Sequence, residues 1–222
     1  MIHQGLVYSY QGVHAFPLER AVMLRERQAG SYRVSAYFLG KSFADFALQI
    51  ISPIVFSLIV YPVVGLQNGT PLAGSQQFQW FLLFMILSSI AATSMVNMIS
   101  CIFLSIQLTV VIIGVSFEIT RLFGGWFVSP IALTSQYNSW KFADALSYLK
   151  YGFVGVSLNE YTGLVLCSNP KIRSTCSLSY SKAQIAKYGY DQYTIEDCAG
   201  YLCVLIIGFR IASYVGLRFI KL

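Results

Sequence analysis

An all-α membrane helix bundle is the fold class that three features of this 222-residue sequence predict. Hydrophobic residues make up 56% of the chain and charged residues only 11%, whereas soluble domains contain about 25% charged residues. Several apolar runs reach the ~20 residues that a transmembrane helix needs. Most charged residues lie between these runs. We therefore expect a polytopic, integral membrane bundle with four full transmembrane helices, a partial one at the N-terminus and a helical loop in the outer leaflet.

The first 41 residues precede the first full span and divide at Phe16. Residues 1–16 are too short and too mixed to cross a membrane and lack the features of a signal peptide, so we interpret them as the remnant of a transmembrane helix. Residues 17–41 predict a cytoplasmic amphipathic helix that begins near Pro17 and is broken at Gly30. Two roles stay open for it: an interfacial anchor on anionic lipid, or a docking surface for a cytoplasmic protein.

Four apolar segments have the length of membrane spans. The spans are predicted at 42–66, 78–100, 105–127 and 199–219. The first contains Pro53 and Pro62, which packed membrane helices tolerate. Phe78–Phe117 holds no charged residue and is too long for one span, so we divide this region and its apolar continuation into two.

The distribution of basic residues predicts that both ends of the chain, including residues 220–222, are cytoplasmic. The loop 67–77 contains no Lys or Arg, which is typical of the outer side of a membrane. The net charge of +6 is therefore explained by topology, and no basic patch indicates nucleic-acid binding. The basic residues that flank the first and last spans are Arg20, Arg25, Arg27, Arg33, Lys41, Arg218 and Lys221.

The two outer loops carry signals of an extracytoplasmic environment. Asn68 begins an Asn-Gly-Thr glycosylation sequon in the loop 67–77. Cys167 and Cys176 lie in the long segment 128–198, where a disulfide is plausible if the segment is extracellular.

The other cysteines receive different predictions. Cys198 would be a third outer cysteine, free or paired between chains, whereas Cys101 and Cys203 fall inside spans and are interpreted as packing residues. The sequence has no CxxC pair and only isolated histidines, so no metal site is predicted.

Charged and polar residues inside the spans are candidate functional residues, because burying them in lipid is costly. Glu118 and Arg121 are three residues apart and share one helix face. Either they line a translocation path, or they form an internal ion pair with Arg121 extending outward. Arg210 is expected to reach polar groups or the headgroup region, and Asn97 is expected to bond between helices, as is Gln107.

Several strings, in order, resemble the G-subfamily of ABC transporters (the white and breast-cancer-resistance type). They are FPLERAVML followed by RERQAGSYRVSAYFLGKSFAD, then SPIVFSLIVYPVVGL, ALSYLKYGFVGVSLNEYTG and FRIASYVGLRF, and they cover residues 16–222. The resemblance implies a half-transporter in which a nucleotide-binding domain precedes six helices and two chains dimerise. It also implies that the connector before the first full span contacts that domain. The coupling residues would be Glu19, Arg20, Arg25, Glu26, Arg27 and Gly30.

The resemblance also implies a pathway and a gate. The helix with Glu118 and Arg121 would line the central cavity, and Trp126 and Phe127, which follow two glycines, would close it. An aromatic belt at the membrane interface is an equally good interpretation of these two aromatic residues.

The chain departs from the family in one large respect, which is that it has no GxxxxGK[ST] phosphate loop. We therefore expect no enzyme activity from this chain alone, with ATP and Mg²⁺ held by a nucleotide-binding domain outside it. The expected function is the membrane portion of an ATP-driven exporter that moves a lipid-like or amphipathic molecule as a dimer in a eukaryotic plasma membrane. The alternative is a non-transporting four-span protein or a truncated regulatory partner of full-length transporters.

Overall fold

The computed structural model describes residues 34–64, 76–103, 105–125, 141–161 and 185–219, together with residues 26, 127, 166–167 and 176–177. We number its α-helices α1 (Val34–Val64), α2 (Gln76–Ile102), α3 (Ile106–Leu122), α4 (Lys141–Leu146), α5 (Tyr148–Tyr161) and α6 (Ile195–Phe219). An antiparallel ladder joins β1 (Leu166–Cys167) to β2 (Cys176–Ser177), and a 3-10 turn, Tyr190–Gln192, precedes α6. The predicted helix bundle is confirmed, while the small ladder in the long outer segment was not predicted.

Three helices of the described part are long and apolar enough to cross a membrane, whereas the sequence predicted four. They are α1 over Ser35–Val64, α2 over its full length, and α6 over Ile195–Arg218. The span predicted at 105–127 is the 17-residue helix α3. At 1.5 Å per residue this helix is about 26 Å long, which is near the lower limit for a membrane span.

Contacts between the helices fix their directions. Arg210, in the second half of α6, donates hydrogen bonds to Ser42 near the start of α1 and to Ser94 near the end of α2. Tyr61, near the other end of α1, packs its ring on Phe78 at the start of α2. Helix α1 therefore runs opposite to α2 and α6, and the start of α1 lies on the same side of the bundle as the end of α6.

Helix α3 carries the chain back across the bundle between α2 and α6. Because α2 and α6 run in the same direction, the intervening chain must return to the opposite side. The end of α3 lies on that side, where the carbonyl of Thr120 accepts a hydrogen bond from Ser147 and that of Gly125 accepts one from Tyr190. The direction of α3 thus agrees with a fourth crossing, although the helix is short.

The core is centred on α2, against which α1, α5 and α6 all pack. Helix α5 approaches α2 closely because it presents glycines at the contact. A Cβ atom on Gly155 would lie 2.4 Å from the ring of Phe84, and one on Gly152 would lie 2.4 Å from the hydroxyl of Ser88. Short helices were predicted in this outer segment, and α5 is one of them, with most of its side chains buried in the bundle.

Two helix boundaries differ from the prediction. Helix α1 begins at Val34, within the segment that was assigned to the amphipathic connector. Helix α6 begins at Ile195 and not at residue 199. A capping box starts it there, because Thr194 and Asp197 exchange hydrogen bonds between their side chains and backbone N–H groups, at 3.1 and 3.2 Å.

Candidate functional site

Helix α3 leaves one of its faces uncovered by the rest of the described chain. Its opposite face is buried through Thr109, Ile113, Phe117 and Thr120. The exposed apolar side chains recur at helical spacing, and they are Leu108, Val111, Val115, Ile119 and Leu122. In a membrane, this stripe must contact lipid or another protein surface.

Glu118 and Arg121 form an ion pair on α3, which is one of the two alternatives that the sequence left open. Glu118 is 54% exposed and Arg121 is 40% exposed, so the chain leaves both side chains accessible from the uncovered side. An exposed pair of this kind contributes only about 0.2–1 kcal/mol to stability in water. Their role in lining a path stays a prediction.

The segment after α3 contains the two predicted gate residues. Phe127 is 60% exposed, and Trp126 lies outside the described residues. Between α3 and Phe127 the backbone turns at Gly125, whose φ of 82° favours glycine. The hydroxyl of Tyr190 donates a hydrogen bond of 3.1 Å to the Gly125 carbonyl. Burial raises the pKa of Tyr190 to about 12, so this phenol stays protonated and keeps donating.

A buried ion pair joins the two short outer helices. Lys150 of α5 donates to the carboxylate of Asp144 in α4, and the two side chains are only 3% and 16% exposed. The ammonium also lies 5.3 and 5.1 Å from the ring centroids of Tyr151 and Tyr193. Burial lowers the pKa of Lys150, but Asp144 and Tyr193 outweigh burial, so the pKa is raised overall. The sequence showed these residues but gave no signal of their pairing.

A second polar cluster lies inside the bundle around Arg210. Its Nε donates to Ser94 Oγ and its Nη1 to Ser42 Oγ, both at 3.0 Å. Nearby, Asn97 donates to Asp45 at 3.2 Å. The predictions that Arg210 reaches polar groups and that Asn97 bonds between helices are therefore confirmed, and the headgroup is not needed to explain Arg210.

The coupling and modification residues fall largely outside the described part of the chain. Glu26 is helical and exposed. The undescribed residues among the predictions are Glu19, Arg20, Arg25, Arg27, Gly30 and Asn68. Their roles stay predictions.

The cysteines differ partly from expectation. Cys167 and Cys176 are register partners in the β1–β2 ladder, and a disulfide between them stays a prediction. Cys101 is buried as predicted, and its thiol lies 3.2 Å from the Ser213 hydroxyl. Cys203 is exposed, so the prediction that it packs in the core is wrong. Cys198 is a free thiol with no exposed surface, which excludes pairing with another chain in this conformation because no second sulfur can reach it.

Comparison with known proteins shows which sequences this chain resembles. The sequence model of the ABC-2 type transporter family matches residues 1–161. Among curated proteins, the chain is 25% identical over 218 residues to the ABC transporter ATP-binding protein/permease wht-1 of Caenorhabditis elegans, covering 98% of this chain and 31% of the worm protein. It is 29% identical over 211 residues to Protein white of Drosophila melanogaster, covering 93% of this chain and 29% of the fly protein.

A third relative extends the comparison to mammals. The chain is 26% identical over 222 residues to the broad substrate specificity ATP-binding cassette transporter ABCG2 of Rattus norvegicus, covering 96% of this chain and 33% of the rat protein. The chain therefore spans about a third of the length of the curated relatives that it matches.

Proposed function

Because the chain belongs to the ABC-2 type transporter family, we propose that it is the permease portion of an ATP-driven exporter that works as a dimer. The observation that carries this proposal is the match over residues 1–161, in a chain whose helices form a membrane bundle. One of the relatives named above, wht-1, is described as an ATP-binding protein/permease. By analogy, ATP and Mg²⁺ are held by an ATP-binding domain that acts with this chain, and the predicted contact to that domain is the segment 17–41.

The uncovered face of α3 is the surface that we assign to the second copy and the transport route. It combines an apolar stripe with the accessible Glu118–Arg121 pair. A route with apolar walls and one charged pair suits a lipid-like or amphipathic molecule better than a fully apolar one, because the charges need polar groups or water beside them. Phe127, which is exposed beyond the end of α3, is the proposed gate residue in the described part of the chain.

The direction of the helices supports the proposed placement in the cell. The start of α1 and the end of α6 lie on the same side, and basic residues flank both positions. By the positive-inside rule this side is cytoplasmic, where the ATP-binding domain would meet the connector. We assign the protein to the plasma membrane of a eukaryote, with the ladder and α4 on the outer side.

Transport by this chain, assembled with its ATP-binding domain in sealed vesicles, tests this function. With the ATP-binding domain facing outward, ATP should drive a fluorescent short-chain phospholipid analogue or an amphipathic dye into the vesicle lumen, and a non-hydrolysable ATP analogue should not. Movement should require two copies per functional unit. Normal assembly and ATP hydrolysis without ATP-driven movement of either probe would contradict the proposal and favour the alternative, a non-transporting or regulatory membrane protein.

A further inference from the structure

Three helices meet at a polar cluster that we call the Arg210 clasp, which consists of Ser42, Asp45, Ser94, Asn97 and Arg210. Arg210 of α6 bonds to α1 through Ser42 and to α2 through Ser94. Asn97 joins α2 to α1 by donating to Asp45. The guanidinium carbon also lies 4.7 Å from the centroid of the Phe46 ring on α1. Helices α1 and α6 share few contacts, and besides these bonds the rings of Phe38 and Tyr214 contact each other, with centroids 5.6 Å apart.

One donor of the clasp has no acceptor among the described residues. Nη2 of Arg210 is buried and makes no hydrogen bond there. Leaving a buried charged donor unsatisfied is costly, more than the roughly 1–3 kcal/mol of a neutral group. The same side chain has satisfied its other nitrogens, so the position of Nη2 calls for a further acceptor.

The pocket that Arg210 lines indicates which acceptor fits. Arg210 lines a small pocket together with Asp45, Asn97 and Lys41. Asp45 and Arg210 lie in the described part of the chain and form no direct ion pair there, although they face the same pocket. The pocket has room for about one water molecule.

We propose that Arg210 and Asp45 hold one water molecule between them, and that this water closes the Arg210 clasp and positions α1 against α6. The water accepts a hydrogen bond from Nη2 and donates one to the carboxylate, whose other oxygen accepts from Asn97. Arg210 is then a positioning residue, because it contacts α1 and α2 and not the transported molecule. The clasp lies about 12–17 Å along α1 from Val34, where the connector enters the helix.

The functional part of this inference rests on the proposed function. If the connector moves the start of α1, a closed clasp makes α6 follow, because the guanidinium is bonded on both sides. Loosening the clasp should uncouple α1 from α6 and leave the ATP-binding domain free to hydrolyse ATP. The expected loss is therefore in transport per ATP hydrolysed.

The water and the linkage are tested without any transport assay. A density map of the full-length protein in a lipid nanodisc should show one solvent peak about 2.7–3.2 Å from both Nη2 and the Asp45 carboxylate. In thermal unfolding, Asp45→Asn and Arg210→Gln should each lower the melting temperature, and the double variant should be no less stable than Arg210→Gln alone, because either change removes the same bridge. Strictly additive shifts, or a map of sufficient resolution without the peak, would overturn the proposal.

The coupling role is tested by the ratio of probe transported to ATP hydrolysed. We expect Asp45→Asn and the milder Ser42→Ala to lower this ratio, by about fivefold or more for Asp45→Asn, while hydrolysis is retained. The matched control is Arg218→Gln, which removes an exposed charge from the same helix and should leave the ratio unchanged. An unchanged ratio in Asp45→Asn would overturn the coupling role. Absence of ATP-driven transport by the unsubstituted protein would instead count against the proposed function, with the map and the unfolding cycle still deciding the clasp.

Discussion

Two ion pairs in this molecule have similar chemistry and opposite surroundings. Lys150 and Asp144 link α5 to α4 and are almost completely buried, beside the rings of Tyr151 and Tyr193. Glu118 and Arg121 lie on one helix, and the described chain leaves both about half exposed. The first pair joins two consecutive short helices across the break at Ser147, whereas the second joins neighbouring turns of a single helix.

This difference in exposure distinguishes a structural ion pair, Lys150 with Asp144, from a candidate functional one, Glu118 with Arg121. A buried charge that loses its partner is left uncompensated, so Lys150 and Asp144, which we call the inner pair, each need the other to remain stably buried. An exposed pair gains little stability from its own attraction, so its presence in a membrane helix needs another explanation. A transport route along the uncovered face of α3 is the explanation that we propose.

The largest expected effect comes from breaking the buried pair on one side. Lys150→Met should lower the free energy of unfolding by about 3–5 kcal/mol, because it leaves the Asp144 carboxylate buried without its counter-ion. Thermal unfolding of the purified protein in detergent measures this loss. Lys187→Met is the matched control, since Lys187 is exposed and its replacement should change stability little.

A double variant shows whether the lost charge or the changed side-chain shape is responsible for the loss of stability. Asp144→Leu combined with Lys150→Met should recover most of the loss, because an apolar pair of similar volume commonly replaces a buried ion pair without penalty. If Lys150→Met behaved like Lys187→Met, the assignment of the inner pair to structure would be wrong.

A smaller effect on stability is expected from the exposed pair. Glu118→Gln should change the free energy of unfolding by less than about 1 kcal/mol, while it alters the transport of cationic and neutral amphipathic dyes to different extents. Thr109→Val on the buried face of α3 is the comparison variant, since it should alter stability without changing the preference between dyes. A large loss of stability in Glu118→Gln, with no change in the preference between dyes, would show that this pair stabilises the fold, as Lys150 and Asp144 do.

The sequence predicted the bundle well because apolar length is a direct requirement of the membrane. The spans α1 and α2 follow from uninterrupted apolar runs and α6 from a run broken only by Arg210, and Pro53 and Pro62 lie inside α1 as the tolerance of packed membrane helices allows. The early start of α6 had a signal that was missed. Thr194 and Asp197 have the spacing of a capping box, but the predicted span was bounded by apolar residues alone and therefore began at residue 199.

Other features depend on how the helices pack against one another, which a pattern of apolar residues does not reveal. Nothing in the local pattern shows that Lys150 pairs with Asp144, or that Gly155 lets α5 approach Phe84. Arg210 was recognised as needing polar groups, but its partners lie on two other helices. Cys203 was misassigned because residence in a span does not tell which helix face a residue occupies, and its face is the exposed one.

Cysteine crosslinking between two copies tests most directly the claim that the uncovered face of α3 meets a second chain. In a Cys203→Ser background, Val115→Cys on the uncovered face of α3 is compared with Val204→Cys, which is at least as exposed on α6. With a short bifunctional thiol reagent in native membranes, the account predicts crosslinked dimers from Val115→Cys above the background and none from Val204→Cys. Equal dimer formation by both variants, or dimers from Val204→Cys alone, would contradict it.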